Sequence, residues 1–103
     1  MNEINKIERN VLDAYFSTRV NNAPPPSQSN LFVADNKTTL EIVEALDSTY
    51  PLTQQDVVSY MTENGFMLEP DESGGLIWKI WRLRYFFFSV LNVEIHFFYI
   101  SLF

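Results

Sequence analysis

Apolar residues recur along this chain at helical spacing three times before the pattern changes. Over residues 3–20, EINKIERNVLDAYFSTRV, the positions Ile4, Ile7, Val11, Leu12, Tyr15 and Phe16 fall mostly three and four apart, which gathers them into one stripe of a helix. Lys6, Arg9 and Asp13 take the opposite side, and Glu8 alone intrudes on the stripe. The pattern breaks at residues 21–30, NNAPPPSQSN, where three consecutive prolines fix an extended segment and supply no amide donors. This is read as a surface loop. LFV, residues 31–33, reads as a short strand. In DNKTTLEIVEALDSTYP, Thr38 and Glu41 have capping-box spacing, so a second helix is expected from about Thr39 to Ser48. It should bury Leu40, Val43 and Leu46, with Ile42 and Ala45 at the margins, and end at Tyr50-Pro51.

The third helix, within LTQQDVVSYMTENGF (52–66), carries signals at both ends. Thr53 is placed to cap it with Asp56 at the third helical position, and Leu52 can staple onto Val57. Gly65 stands where a left-handed residue ends a helix, and Phe66 can then touch Met61. Val57, Val58 and Met61 are expected to face inward, and Gln55, Ser59, Thr62 and Glu63 outward. FMLEPDESGGLIWKIWRLRY follows as two apolar runs around a polar turn, which reads as a β-hairpin with positive φ at Gly74 and Gly75. In its second run Ile77, Lys79, Trp81 and Leu83 share one face, and Leu76, Trp78, Ile80 and Arg82 the other.

Composition adds a charge asymmetry. The 103-residue chain has a net charge of -6, but residues 1–78 hold four basic against twelve acidic side chains, a net of -8. From residue 79 onward, Lys79, Arg82 and Arg84 stand against Glu94 alone. The acidic part opposes the electrostatic attraction on which nucleic-acid binding depends. With no cysteine, disulfides, thiol chemistry and Cys-type zinc sites fall away. The polar start MNEINKIERN has no apolar stretch of the secretory kind, so a cytoplasmic protein is expected.

Helix, short strand, helix, turn, helix, hairpin is an element order that resembles the winged-helix domain, the winged form of the helix-turn-helix. The resemblance runs from Glu3 to Leu83: LFV looks like the small first strand, TTLEIVEALDST like the second helix, LTQQDVVSYMTENGF like the recognition helix and MLEPDESGGLIWKIW like the wing. The ten-residue proline loop is longer than usual for that family. The fold class expected is therefore α+β: a small winged-helix-like domain over residues 1–83, three helices plus a β-hairpin, with an apolar aromatic extension over 84–103.

The resemblance implies that the outer face of the third helix, Gln55, Ser59, Thr62 and Glu63, makes the contacts. Gln can pair with adenine and Ser with several base edges. A phosphate grip could come only from Lys37, Lys79, Arg82 and Arg84, because Asp56, Glu63, Glu69, Asp71 and Glu72 load the helix border and the wing. The preferred reading is a non-enzymatic protein-interaction module. A DNA-binding regulator or replication accessory of a phage or mobile element is the first alternative. Catalytic chemistry finds no assembled set: His96 has only Glu94 nearby, EPDESGG lacks the spacing of a calcium loop, and no cofactor or metal is implied.

The last stretch, RYFFFSVLNVEIHFFYISLF, holds six of the nine phenylalanines and admits three readings. A helix of this length could cross a membrane as a tail anchor behind Lys79, Arg82 and Arg84, which is the second functional alternative. Glu94 at its midpoint would cost about 3 kcal/mol and make insertion marginal. Alternation of Val93, Ile95 and Phe97 with Glu94 and His96 instead suggests two strands around a bend near Leu91-Asn92, available for packing or self-association. The third reading is a tail under little selection.

Overall fold

The computed structural model describes residues 4–89 and 95–99. Three helices, α1 (Lys6–Tyr15), α2 (Thr39–Leu46) and α3 (Gln54–Glu63), are combined with seven short strands, β1 (Arg19–Val20), β2 (Phe32–Ala34), β3 (Leu68–Pro70), β4 (Leu76–Trp78), β5 (Trp81–Leu83), β6 (Tyr85–Ser89) and β7 (Ile95–Tyr99). The fold is α+β, with antiparallel sheets ordered β1-β5-β2, β3-β4 and β6-β7.

Helix ends follow the caps in the sequence. Thr38 Oγ1 accepts from Glu41 N at 3.0 Å while Glu41 Oε1 accepts from Thr38 N at 2.8 Å. Thr53 and Asp56 repeat the arrangement on α3, both bonds at 3.0 Å. Each box satisfies two amides that the first turn leaves over. At the other end of α3, Gly65 has φ +77°, Phe66 N donates to Met61 O and Gly65 N to Thr62 O, the paired bonds of a Schellman ending.

Faces are less faithful to the sequence reading. On α1 the buried line is Ile4, Glu8, Leu12, Tyr15 and Phe16, while Ile7 is 55% exposed. The stripe is turned by one position, which brings Glu8 inward beside Tyr50, whose pKa is raised chiefly by the Glu8 charge. On α2 the centre is Ile42 and Leu46, and Leu40 is 49% exposed. On α3, Tyr60 goes inward in place of Val58, and Ser59 is buried as well. The reason lies in Phe16: Tyr60 stacks on it with ring centroids 5.6 Å apart and donates its hydroxyl to Asp13 at 2.8 Å, contacts that a valine cannot make.

Three boundaries also differ. The first helix stops at Tyr15, and after one tight turn at Phe16–Thr18 the chain becomes β1. β-branched Val20 suits a strand, and β5 offers the edge that accepts it, Arg19 opposite Arg82 and Val20 opposite Trp81. α2 ends at Leu46 instead of Ser48, where the amides of Thr49 and Tyr50 both close on the Leu46 carbonyl. The long second run of the hairpin divides at Lys79-Ile80. Its first part pairs with β3, and its second part lies between β1 and β2. Asp35 N to Ile80 O and Ile80 N to Asn36 Oδ1, at 2.8 and 3.0 Å, stitch the division to the segment after β2. Trp78 and Ile80, at 3% and 0% exposed, reach the core with Leu12, Ile42, Val57 and Met61.

The hairpin turn needs one left-handed glycine rather than two. Gly74 has φ +89°, and Gly75 does not have positive φ. Asp71 supplies the remaining closure, its Oδ1 accepting from Ser73 N, Ser73 Oγ and Gly75 N. In the tail, β6 and β7 pair from Tyr85 opposite Tyr99 to Ser89 opposite Ile95, as the two-strand reading expects. The bend near Leu91-Asn92 and Glu94 lie outside the described residues.

Candidate interaction face

Of the four residues expected on the outer face of α3, Gln55 and Thr62 are exposed there. Ser59 is 2% exposed and accepts from Gln55 Nε2 at 3.0 Å. Glu63 is exposed but committed to α1: Arg9 grips it at both oxygens, Nη1 to Oε2 at 2.6 Å and Nη2 to Oε1 at 3.2 Å. This bidentate pair holds the Glu63 pKa below the usual carboxylate range and raises that of Arg9. Val58, 37% exposed, lies between Gln55 and Thr62. The free face is therefore Gln55, Val58 and Thr62, narrower and more apolar than the sequence suggests.

The basic residues expected to meet phosphate separate into two kinds. Lys37 and Arg82 turn to one carboxylate, that of Asp35, where Lys37 Nζ lies 3.3 Å and Arg82 Nε 3.7 Å from its oxygens. Arg19 joins them, its Nε 3.5 Å from Asp35. The three cationic side chains are only 15%, 14% and 4% exposed in that order. Arg19 is fixed further by donating to Tyr15 O at 2.7 Å and by lying 3.9 Å over the Tyr15 ring, a cation–π contact. Since Arg19 and Arg82 stand directly opposite across β1 and β5, like charges would repel there. Asp35 offsets that repulsion. Burial raises the Tyr15 pKa at this cluster, with Arg19 and Arg82 pulling the other way.

Lys79 and Arg84 stay apart from this cluster. The Arg84 side chain donates to Asn30 O at 3.2 Å and its amide to Leu31 O at 2.7 Å, tying the end of β5 to the proline loop. Arg19 and Asp35 were not legible as a pair in the sequence, because Arg19 continued a helical pattern and Asp35 stood alone in a loop. The one signal was the run of alternating residues that ends in Arg82, which requires an anion wherever it is packed.

Beside this cluster lies an open pocket of about 270 Å³ between the end of α1, β1 and the end of α3, lined by Phe16, Arg19, Val20, Asn21, Tyr60, Asn64 and Phe66. Its amides are used in the fold: Asn21 Nδ2 donates to Asn64 O, and Asn64 Nδ2 to Tyr60 O, both at 2.9 Å. The tip of the β3–β4 hairpin is acidic, and the bonds from Ser73 and Gly75 hold the Asp71 pKa below the usual carboxylate range. Among the described residues no helix is long and apolar enough to cross a membrane.

These features define a small α+β domain in which Lys37, Arg82 and Arg19 are turned inward onto Asp35, while Glu69 and Glu72 of the hairpin stay exposed. Compared with protein-family models, curated proteins and solved structures, the chain matches none.

Proposed function

We propose that this chain is a non-enzymatic, winged-helix-like module that binds another protein through the outer face of α3 and the wing. The single observation carrying this reading is the withdrawal of Lys37 and Arg82, with Arg19, into the cluster around Asp35. Cations so placed are poor phosphate contacts, while Glu69, Asp71 and Glu72 remain on the wing to repel a polyanion. Further support comes from topology. α2 and α3 are joined by a short turn, and β2 pairs with β5, the continuation of the second wing strand. The bonded carboxylates are also engaged structurally: Asp35 by the cations, Glu63 by Arg9, Asp71 by its own loop, Asp13 by Tyr60, and Glu41 and Asp56 in the capping boxes. That disposition suits binding rather than turnover.

The test is binding to mixed-sequence duplex DNA as salt is raised. The protein-interaction reading expects no measurable complex even at low salt. Tight binding that weakens steeply with salt, and weakens again in Lys79→Ala or Arg84→Ala, would overturn it in favour of a DNA-binding regulator.

A further inference from the structure

We infer that the wing and the start of α2 form a docking surface for a basic amphipathic segment of another protein, an inference that rests on the protein-interaction reading and names its partner chemistry. In the β3–β4 ribbon Leu68 lies opposite Trp78 and Pro70 opposite Leu76, so these four share one face. Trp78 anchors that face in the core, 3% exposed, with its indole donating to Thr39 Oγ1 at 2.9 Å. The rest of that face leaves the core: Leu68, across from Trp78, is 42% exposed and Leu76, nearer the tip, 56%. Leu40, the residue after Thr39, is 49% exposed. Leu68 and Leu76 thus stand in solvent on the ribbon face rooted at Trp78, and Leu40 follows the threonine that holds the indole. The docking surface is built on neighbouring exposed leucines rather than on scattered ones.

Charge identifies the occupant. Glu72 at the wing tip and Glu44 on α2 are exposed, and none of the described ion pairs involves either. A segment covering the leucines must therefore bring positive charge to this rim. A second copy of this chain, net -6, would set like charge against like. Strand addition is also disfavoured. Lys79 N donates to Met67 O and Asp71 N to Gly75 O, so by the antiparallel alternation Leu68 and Pro70 present the outer edge, and Pro70 has no amide to offer there. The partner lies across the face, as an amphipathic helix does.

The experiment measures binding of the full chain to three labelled probes: an amphipathic helical peptide of Leu and Lys, its counterpart of Leu and Glu, and mixed-sequence duplex DNA. The Leu/Lys peptide is expected to bind, more weakly as salt rises, and the other two are not. Leu68→Ser with Leu76→Ser should weaken binding about tenfold or more. Glu44→Lys with Glu72→Lys should do the same, while Ile7→Ser, an equally exposed change on α1, leaves it unaltered. All these positions are exposed, and circular dichroism checks that each variant is folded. Equal binding of the Leu/Glu peptide would overturn the charge assignment. Binding that survives both pairs but is lost in Val58→Ser would move the partner to α3, overturning the inference while leaving the module reading intact. Binding of DNA alone would overturn both.

Discussion

Gly65 and Gly75 differ in what a side chain would meet. At Gly65 the backbone is left-handed, φ +77°, and an added Cβ would lie 3.1 Å from Asn21 Nδ2, so strain and displacement of the helix-capping amide act together. Gly65→Val is expected to lower unfolding free energy by roughly 1 to 2 kcal/mol in a denaturant titration. Gly75 has neither positive φ nor a close neighbour, the Asp71 carboxylate being 3.5 Å away, and Gly75→Ala should melt like the parent. Gly74→Ala should not, since φ +89° disfavours any Cβ. At Glu63 the residue-scale effect is electrostatic. Its pKa is depressed in the fold by Arg9, so the pair adds stability above the ordinary carboxylate pKa and loses it as pH falls through the folded value. The melting difference between parent and Glu63→Gln should be present at neutral pH and vanish in acid. A difference that persists at low pH would assign it to packing.

At the scale of elements, the two capping boxes are the clearest local contributions. Thr38→Ala and Thr53→Ala should each cost about 1 kcal/mol, and because they lie on different helices their effects should add. A double variant much less stable than the sum would mean that α2 and α3 fray together. The starts of these helices were legible because a capping box is a contact between residues three apart in sequence, and nothing distant decides it, whereas the end of α2 fell two residues short of Ser48. Their faces were less so. One helical residue turns the side chain by about 100°, so Val58 or Tyr60 could each extend the Val57–Met61 stripe, and only Phe16, brought from 44 positions away, selects Tyr60. The same holds for Ser59, whose burial removes it from the contact face.

Taken whole, the molecule has a core closed by α1, α2, α3 and the β4–β5 strands, while β6 and β7 form a sheet of their own. A chain ending at Arg84 is therefore expected to keep a cooperative melt and to gain solubility, since an isolated two-stranded ribbon contributes little stability by itself and this one is rich in aromatic residues. Sedimentation of the two chains reads the second effect: self-association confined to the full-length chain assigns residues 85–103 to assembly. Loss of the cooperative melt on truncation would instead place those residues in the core and move the domain boundary beyond Leu83.

What the sequence determined by itself is local: the α+β class, the three helices, both capping boxes, the glycine ending of α3 and the β3–β4 hairpin, all set by residues within a few positions of one another, whereas for the tail it left three readings open and the structure pairs β6 with β7. The tertiary structure alone decided how Arg19, Lys37 and Arg82 come to share Asp35 and why Glu63 is held by Arg9. These are meetings of charges from separate segments, and no spacing along the chain encodes them. The functional reading turns on those meetings, because a cation counts toward phosphate binding only where the fold leaves it in solvent, and burial against a carboxylate withdraws it.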